Sequence, residues 1–533
     1  MIVRFRLGIF REYKAFTQRR WWTTYIPCLF SLSLACAGCG GGSGTNIVSP
    51  PPPPLTYLIS GTVSGLTGGP LVLGNNGTDG LNVGSNGMFS FPKPVNSGDT
   101  YDVIVSVQPQ TPVQFCVVSN GKETATTNVT NVQVECTTPT EQTLYNFGTV
   151  PGNSSPSGDL VLDSSGNLYG TTNGVQGGNG EIYKLTLSNG QWTQTVLYTF
   201  CQLPNCVDGS KPAAGVIQDA AGNFFGTTSA GGVYGGGTVF ELVPSGNGNW
   251  TESVLHSFGN GTDGSGPTSE LVFDNSGNLY GTTTGGGNPI CNNVGCGTVF
   301  ELSPNSAGWT ETVLYSFCSA SGSFCPDGAD PWAGVILDSA NNLYGTTYFG
   351  GGSASSNGVV FELSPNNGGQ WTEKVIYAFQ NGEADGASPA SALVFDNAGN
   401  LYGTTVFGYE AVGINNGIVF QLSPEPGGKW EENIVYGFCA LPNGCPDGSS
   451  PHAAVVFDKA GNLYGTSTLG GDSYGVVFAL TPGLPGGLWS ESPIYTFQGA
   501  EPTSGLVMDA EGNLYGVSGG GSNLTGMVFK VTP

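Results

Sequence analysis

One tetrapeptide recurs along this chain and constrains what it can fold into. Asn-Leu-Tyr-Gly begins at Asn167, Asn278, Asn342, Asn400, Asn462 and Asn513, and a variant, Asn-Phe-Phe-Gly, begins at Asn223. The copies are 51 to 64 residues apart, which suits a four-stranded propeller blade. A helical reading fails because 88 of the 533 residues are Gly, and each Gly inside a helix costs about 1 kcal/mol relative to Ala. Disorder fails as well, because 11% aromatics and regular Val/Leu/Phe runs supply apolar surface to bury.

Each repeat divides into four strand signals. In one copy, strand a is Ser269 to Phe273, strand b Leu279 to Thr283, strand c Gly297 to Leu302 and strand d Trp309 to Phe317. The a–b turn reads Asp274-Asn-Ser-Gly-Asn278. Asp can cap such a turn and Gly can take positive φ. The repeated Trp192, Trp250, Trp309, Trp371, Trp430 and Trp489 read as blade packing.

The ends of the array predict closure. Strands a, b and c occur seven times, and the last copy stops at Met527 to Val531 without a d strand. A lone d-like segment, Thr143 to Phe147, precedes the first a strand. Pairing the spare strand with the incomplete last copy removes an open sheet edge. Residues 141–533 are therefore expected to form a seven-bladed β-propeller of about 56-residue repeats.

The N-terminal part is organised differently. Six of the 14 basic residues lie in the first 20 positions, followed by an apolar stretch from Tyr25 to Leu34 and small residues to Cys39. Residues 1–39 read as an export signal. Ala37-Gly38-Cys39 resembles the lipobox of bacterial lipoproteins, which implies lipidation of Cys39 and membrane attachment. Cys36 stands where that motif carries an aliphatic residue, and plain signal-peptidase cleavage is the alternative. Residues 40–55 form a Gly/Ser/Pro-rich tether. Residues 56–138 carry short strand signals separated by Gly/Asn turns and read as a small β-sandwich. This segment resembles the immunoglobulin-like modules that precede repeats in bacterial surface proteins, notably in Gly61-Thr-Val-Ser-Gly-Leu66.

Ten cysteines beyond the leader fall into close pairs: Cys116–Cys136, Cys201–Cys206, Cys291–Cys296, Cys318–Cys325 and Cys439–Cys445. Even, local pairing predicts disulfides and an oxidising, extracytoplasmic location, periplasmic or surface-exposed. The spacings are poor for zinc, and the chain has only two His. Beyond the leader, 8 basic residues face 37 acidic ones. That balance excludes nucleic-acid binding, because such a surface repels phosphate backbones.

The recurring Asp-x-x-Gly-Asn-Leu-Tyr-Gly-Thr-Thr, Gly-Thr-Val-Phe-Glu-Leu-Ser-Pro and Trp-Thr-Glu-x-Val-Leu-Tyr-x-Phe segments also resemble the GloVer tandem repeats of bacterial anchored surface proteins. The resemblance implies the architecture and a surface location, and supplies no activity.

Candidate sites lie where the repeats differ. The b–c and d–a loops share one face, vary in length and hold four of the five cysteine pairs, and variable loops on a rigid frame are where binding usually resides. The residue after the d–a loop Pro is small or a hydroxyl residue except at Trp332 and His452. Three after that Pro stand Gly or Ala, except at Asp159 and Glu270. These four residues are expected at the mouth of the central channel, where Trp could stack on a sugar ring and carboxylates accept its hydroxyls. The d–a loops also repeat Asp-Gly-x-x-Pro at Asp208, Asp263, Asp327, Asp385 and Asp447. These aspartates read either as turn caps or as an acidic ring for a hard cation such as Ca²⁺.

No nucleophile elbow, zinc-protease motif or phosphate loop is present. The first reading is a monomeric, lipid-anchored binding or adhesion module for a glycan or protein ligand. The alternatives are a metal-assisted propeller enzyme (lyase, lactonase or glycosidase type) acting on a sugar or polysaccharide through its carboxylates, and a purely structural surface protein.

Overall fold

The computed structural model describes residues 54–533, apart from residues 149–154, 175–177, 292–294, 321–322, 353–355, 367, 381–384, 409–415, 441–443, 472, 483–488 and 520–525. The expected leader and tether, with Cys39, lie outside the described residues. Residues 54–533 form one compact unit. Among the described residues no helix is long and apolar enough to cross a membrane.

The N-terminal segment folds as two four-stranded sheets and a short antiparallel pair, Thr56–Tyr57 with Val95–Asn96. One orders Gly87–Ser90, Ile59–Ser64, Val129–Thr137 and Phe115–Ser119; the other orders Asp79–Val83, Leu71–Asn75, Thr100–Val107 and Lys122–Thr124. Alternating residues such as Ile59, Leu71, Leu73, Tyr101 and Val134 fill the core between them. The first sheet is mixed, because Ile59–Ser64 runs parallel to Val129–Thr137. Cys116 and Cys136 are cross-strand partners joined by a disulfide. The sandwich packs against the repeat region through Phe115 on Tyr464, with ring centroids 5.6 Å apart. Gln110 Nε2 also donates to Ser492 Oγ at 3.0 Å.

The repeat region is an all-β propeller. Among the described residues seven sheets, here called blades one to seven, order their strands as a–b–c–d, with strand a of blade five split into Gly386–Pro389 and Val394–Phe395, both paired with Leu401–Gly408. In blade three these are Val272–Phe273, Leu279–Thr283, Thr298–Asn305 and Gly308–Ser316. Strand a is shorter than the predicted Ser269–Phe273, because Ser269 is bonded through its side chain. Its Oγ accepts the Thr282 backbone N–H at 3.4 Å in place of a backbone ladder bond. Closure is as expected: Thr140–Asn146 pairs antiparallel with Met527–Thr532 and completes blade seven.

Local chemistry explains the repeated motifs. Asp274 Oδ1 accepts the N–H groups of Ser276 and Asn278, at 2.8 and 2.9 Å. Its Oδ2 accepts from Asn278 Nδ2 at 2.8 Å and Tyr280 OH at 3.3 Å. Gly277 sits at φ 85°, and Asn341 occupies the same left-handed position at φ 63°. The Gly of Asn-Leu-Tyr-Gly admits the strand-c phenylalanine: a Cβ at Gly281 would lie 2.6 Å from Phe300 Cζ.

The cores form between adjacent blades. The repeated tryptophans pack there, as expected. Trp371 meets Tyr280 of the preceding blade edge-on at 6.2 Å, and Trp430 meets Tyr344 at 6.1 Å. Nearer the axis, the first Thr of Gly-Thr-Thr donates to a carbonyl of the next blade. Examples are Thr171 to Ala214 at 2.8 Å and Thr282 to Ala333 at 2.9 Å.

Candidate functional site

The axis of the ring holds a cavity of about 370 Å³ lined by residues of all seven blades. Its wall is built at the start of each first strand, so the positions predicted from repeat differences converge there. Asp159, Glu270, Trp332 and His452 all line this one cavity.

Asp159 and Glu270 stand in a ring of otherwise small residues, and both reach sideways over a glycine. Glu270 Oε1 accepts the backbone N–H of Asp159 at 3.2 Å and that of Gly215. A Cβ at Gly215 would collide with that oxygen. Asp159 Oδ1 accepts the N–H of Gly505 at 2.6 Å, and a Cβ at Gly505 would lie 2.7 Å from Asp159 Oδ2. Both side chains touch the cavity yet are deep within protein mass. Burial, and then the Asp159 charge, pushes the Glu270 pKa up to about 8, against its two N–H donors. Burial also raises Asp159, with the Gly505 N–H opposing. Both effects favour the protonated form of Glu270, which can donate a hydrogen bond.

The rim is held in place by its own contacts. Trp332 is 43% exposed, yet its ring is fixed. It stacks on Tyr348 with centroids 4.6 Å apart and planes 20° from parallel. Its indole N–H donates to Asp330, and Tyr348 is hydrogen-bonded to Ser388. His452 Nδ1 lies 2.9 Å from the Ser450 carbonyl, which can only accept, so Nδ1 carries the proton and Nε2 is the free acceptor. Burial lowers the pKa of this ring, against the Ser450 contact, which keeps it neutral near pH 7. Tyr348 is absent from the sequence-based set. It follows the Leu-Tyr-Gly-Thr-Thr strand, where other blades carry Asn173, Ser229, Thr284, Val406, Thr468 and Gly519, so the same comparison of repeats identifies it.

The five loop aspartates are not brought together. None lines the central cavity, and each is engaged within its own loop. Asp208 accepts from Tyr198 OH at 2.9 Å and Gln202 N–H at 2.8 Å. Asp327 accepts from Tyr315 OH and Ser319 N–H, both at 2.8 Å. Asp447 accepts from Tyr436 OH at 2.8 Å and Ala440 N–H at 2.9 Å. Asp385 takes the N–H groups of Gln380 and Gly386, and Asp263 that of Gly259 with His256 Nε2 at 3.3 Å. This is the turn-cap arrangement, one of the two readings of these aspartates, with neighbouring donors on at least one oxygen of each. Among the described residues, the one gathering of three or more metal-ligand atoms is the sulfurs of Cys291, Cys296, Cys318 and Cys325, within 4.8 Å. Those sulfurs are paired as two disulfides, and Cys201–Cys206 and Cys439–Cys445 are also joined.

Solved structures with similar chain paths are distant. A Lactobacillus plantarum protein is 15% identical over 63% of this chain and 83% of its own, with a TM-score of 0.39. The Pseudomonas aeruginosa periplasmic gluconolactonase is 12% identical over 75% of this chain and 93% of its own, with a TM-score of 0.39. The Penicillium chrysogenum alpha-L-arabinanase is 12% identical over 74% and 97%, with a TM-score of 0.37. At this distance no residue role transfers from them. No curated protein matches the chain. Residues 113–327 match the family profile of the Gloeobacter/Verrucomicrobia repeat, so the chain carries the repeat that its motifs resemble.

Proposed function

We propose that this chain is an extracytoplasmic binding module whose propeller takes a hydroxyl-rich ligand, such as a glycan, at the channel mouth. The observation that carries this reading is the convergence of the unrepeated side chains on one cavity. Trp332, backed by Tyr348, offers an apolar face for a sugar ring. His452 Nε2 offers an acceptor and Glu270 a donor, a pairing suited to hydroxyl groups. Five disulfides agree with an oxidising compartment. In this reading Cys39 attaches the module to a membrane by a lipid. A glycan array probed with the purified protein and with Trp332→Ala tests it. Ligands bound by the wild type and lost in the variant support the site, and equal binding by both rejects it.

One observation favours a hydrolytic alternative. Burial and the Asp159 charge raise the Glu270 pKa in a cavity that also holds His452, whose pKa burial lowers, and this favours the protonated carboxyl that a general acid needs. Turnover of any ligand found on the array, lost in Glu270→Gln with binding retained, would select this alternative.

A further inference from the structure

Away from the channel, five of the junctions between blades hold a partly buried carboxyl pair. The glutamate of the strand-d opening faces the aspartate of the loop that leads into its own blade. The pairs are Glu252 with Asp208, Glu311 with Asp263, Glu373 with Asp327, Glu432 with Asp385 and Glu491 with Asp447. A side chain from strand d of the preceding blade meets the same aspartate: Tyr198, His256, Tyr315, Tyr377 and Tyr436 in that order. These are the titratable groups that face each glutamate. Lys374, next to Glu373 in sequence, lies 3.9 Å from Glu362 and donates to the Gly428 carbonyl.

The hydrogen bonding in these seams is incomplete without a proton. Among the described residues, Oε1 of Glu252, Glu311, Glu373, Glu432 and Glu491 is buried and has no partner. So is Oδ1 of Asp327, in a residue only 2% exposed. A buried carboxylate oxygen without a donor is costly, and two adjacent carboxylates are costlier. Two carboxyls and a hydroxyl also fall short of the six to eight oxygens that Ca²⁺ takes.

We propose that each of these five seams keeps one proton on its glutamate, donated toward the facing aspartate, so that carboxylic acids latch neighbouring blades and the ring loosens when they ionise. The electrostatics agree. Burial, then the facing aspartate, pushes Glu252, Glu311, Glu373 and Glu432 up to about 7, and pushes Glu491 well above the ordinary 4.5. A raised folded-state pKa gives stability that is complete below the unfolded value and is lost as pH rises through the folded one. The latches therefore hold below about pH 4.5 and release progressively toward about pH 7. Blade one fits the same rule. The loop leading into it has no aspartate, and its equivalent residue is Gln194, which accepts from Tyr145 OH at 2.9 Å.

Gln194 shows that glutamine is compatible with this position, so Glu→Gln variants test the proposal. In the full protein, the melting temperature should fall by roughly 5 °C or more from about pH 5 to about pH 8. In a Glu311→Gln/Glu373→Gln/Glu432→Gln variant the fall should shrink, and the variant should melt above wild type at the alkaline end. Infrared spectra near neutral pH should show a protonated carboxyl carbonyl band that is stronger in the wild type than in this variant. Three results overturn the proposal. One is an unchanged pH slope in the variant. Another is a band no stronger in the wild type than in the variant. The third is a calcium-dependent rise in wild-type melting temperature that the variant lacks, which would assign the seams to a metal ion.

Discussion

The carboxylate of Asp159 accepts the backbone N–H of Gly505 at 2.6 Å, across the junction where blade one meets blade seven. Every other junction is bridged near the axis by a hydroxyl. Thr171, Thr227, Thr282, Thr346, Thr404 and Thr466 each donate to a carbonyl of the blade that follows. In blade seven the equivalent residue is Val517, which has no hydroxyl to give. Asp159 thus bridges the one junction where Val517 replaces the repeated threonine, beside the 3.5 Å contact of Thr503 Oγ1 with the Pro156 carbonyl, and it lines the cavity at the same time.

Removing this bridge should loosen closure more than it perturbs any single blade. Asp159→Ala should cost about 1–3 kcal/mol, the range for a lost charge-assisted hydrogen bond. Gly505→Ala should cost a similar amount, by pressing a Cβ against Asp159 Oδ2. Val517→Thr added to Asp159→Ala should recover part of the loss. Urea unfolding of the three variants checks this, and no recovery by the added threonine would show that the two bridges are not equivalent.

Deleting residues 141–148 should cost several kcal/mol, a large share of a typical 5–15 kcal/mol stability. It removes the strand that pairs with Met527–Thr532 and leaves an open edge prone to association. Calorimetry and light scattering read both consequences. An unchanged melting temperature with no dimer would mean that this strand does not close the ring.

Ligand binding should depend on the Glu270 proton. Its pKa is pushed up to about 8, so a donated hydrogen bond is present below that pH and lost above it. The same raised value means that Glu270 contributes stability below the ordinary 4.5 that is lost as pH rises through about 8. Titration calorimetry from neutral to alkaline pH should show affinity falling in wild type, and a flatter profile in Glu270→Gln, which keeps an N–H donor.

How much of this was legible in sequence depends on what each feature needs. Strands b, c and d follow alternation and turn residues, so Leu279–Thr283 is found residue for residue. Closure follows from counting strands at the two ends. Three strands of the sandwich give no such signal: Asp79–Val83, Val95–Asn96 and Lys122–Thr124 are rich in Asp, Asn, Gly and Lys, or very short. Trp332, His452, Asp159 and Glu270 are legible because the other blades act as an internal reference. The seam pairs are not, because Glu373 and Asp327 meet only once the packing of successive blades is known.

The proposed lipid anchor is tested by fractionation. Cys39→Ala should move the protein from the membrane fraction to the soluble one, and unchanged partitioning would remove the anchor from the account.

The most direct test of the central claim is the contrast between an unrepeated and a repeated tryptophan. Trp332→Ala should weaken a ligand from the glycan screen by about 1–3 kcal/mol, the range for one stacking aromatic, with little change in melting. Trp371→Ala, packed between blades against Tyr280, should cost roughly 3–5 kcal/mol of stability and leave the affinity of the folded fraction unchanged. Binding that survives Trp332→Ala but is abolished by Trp371→Ala in still-folded protein would contradict the assignment of function to the channel mouth.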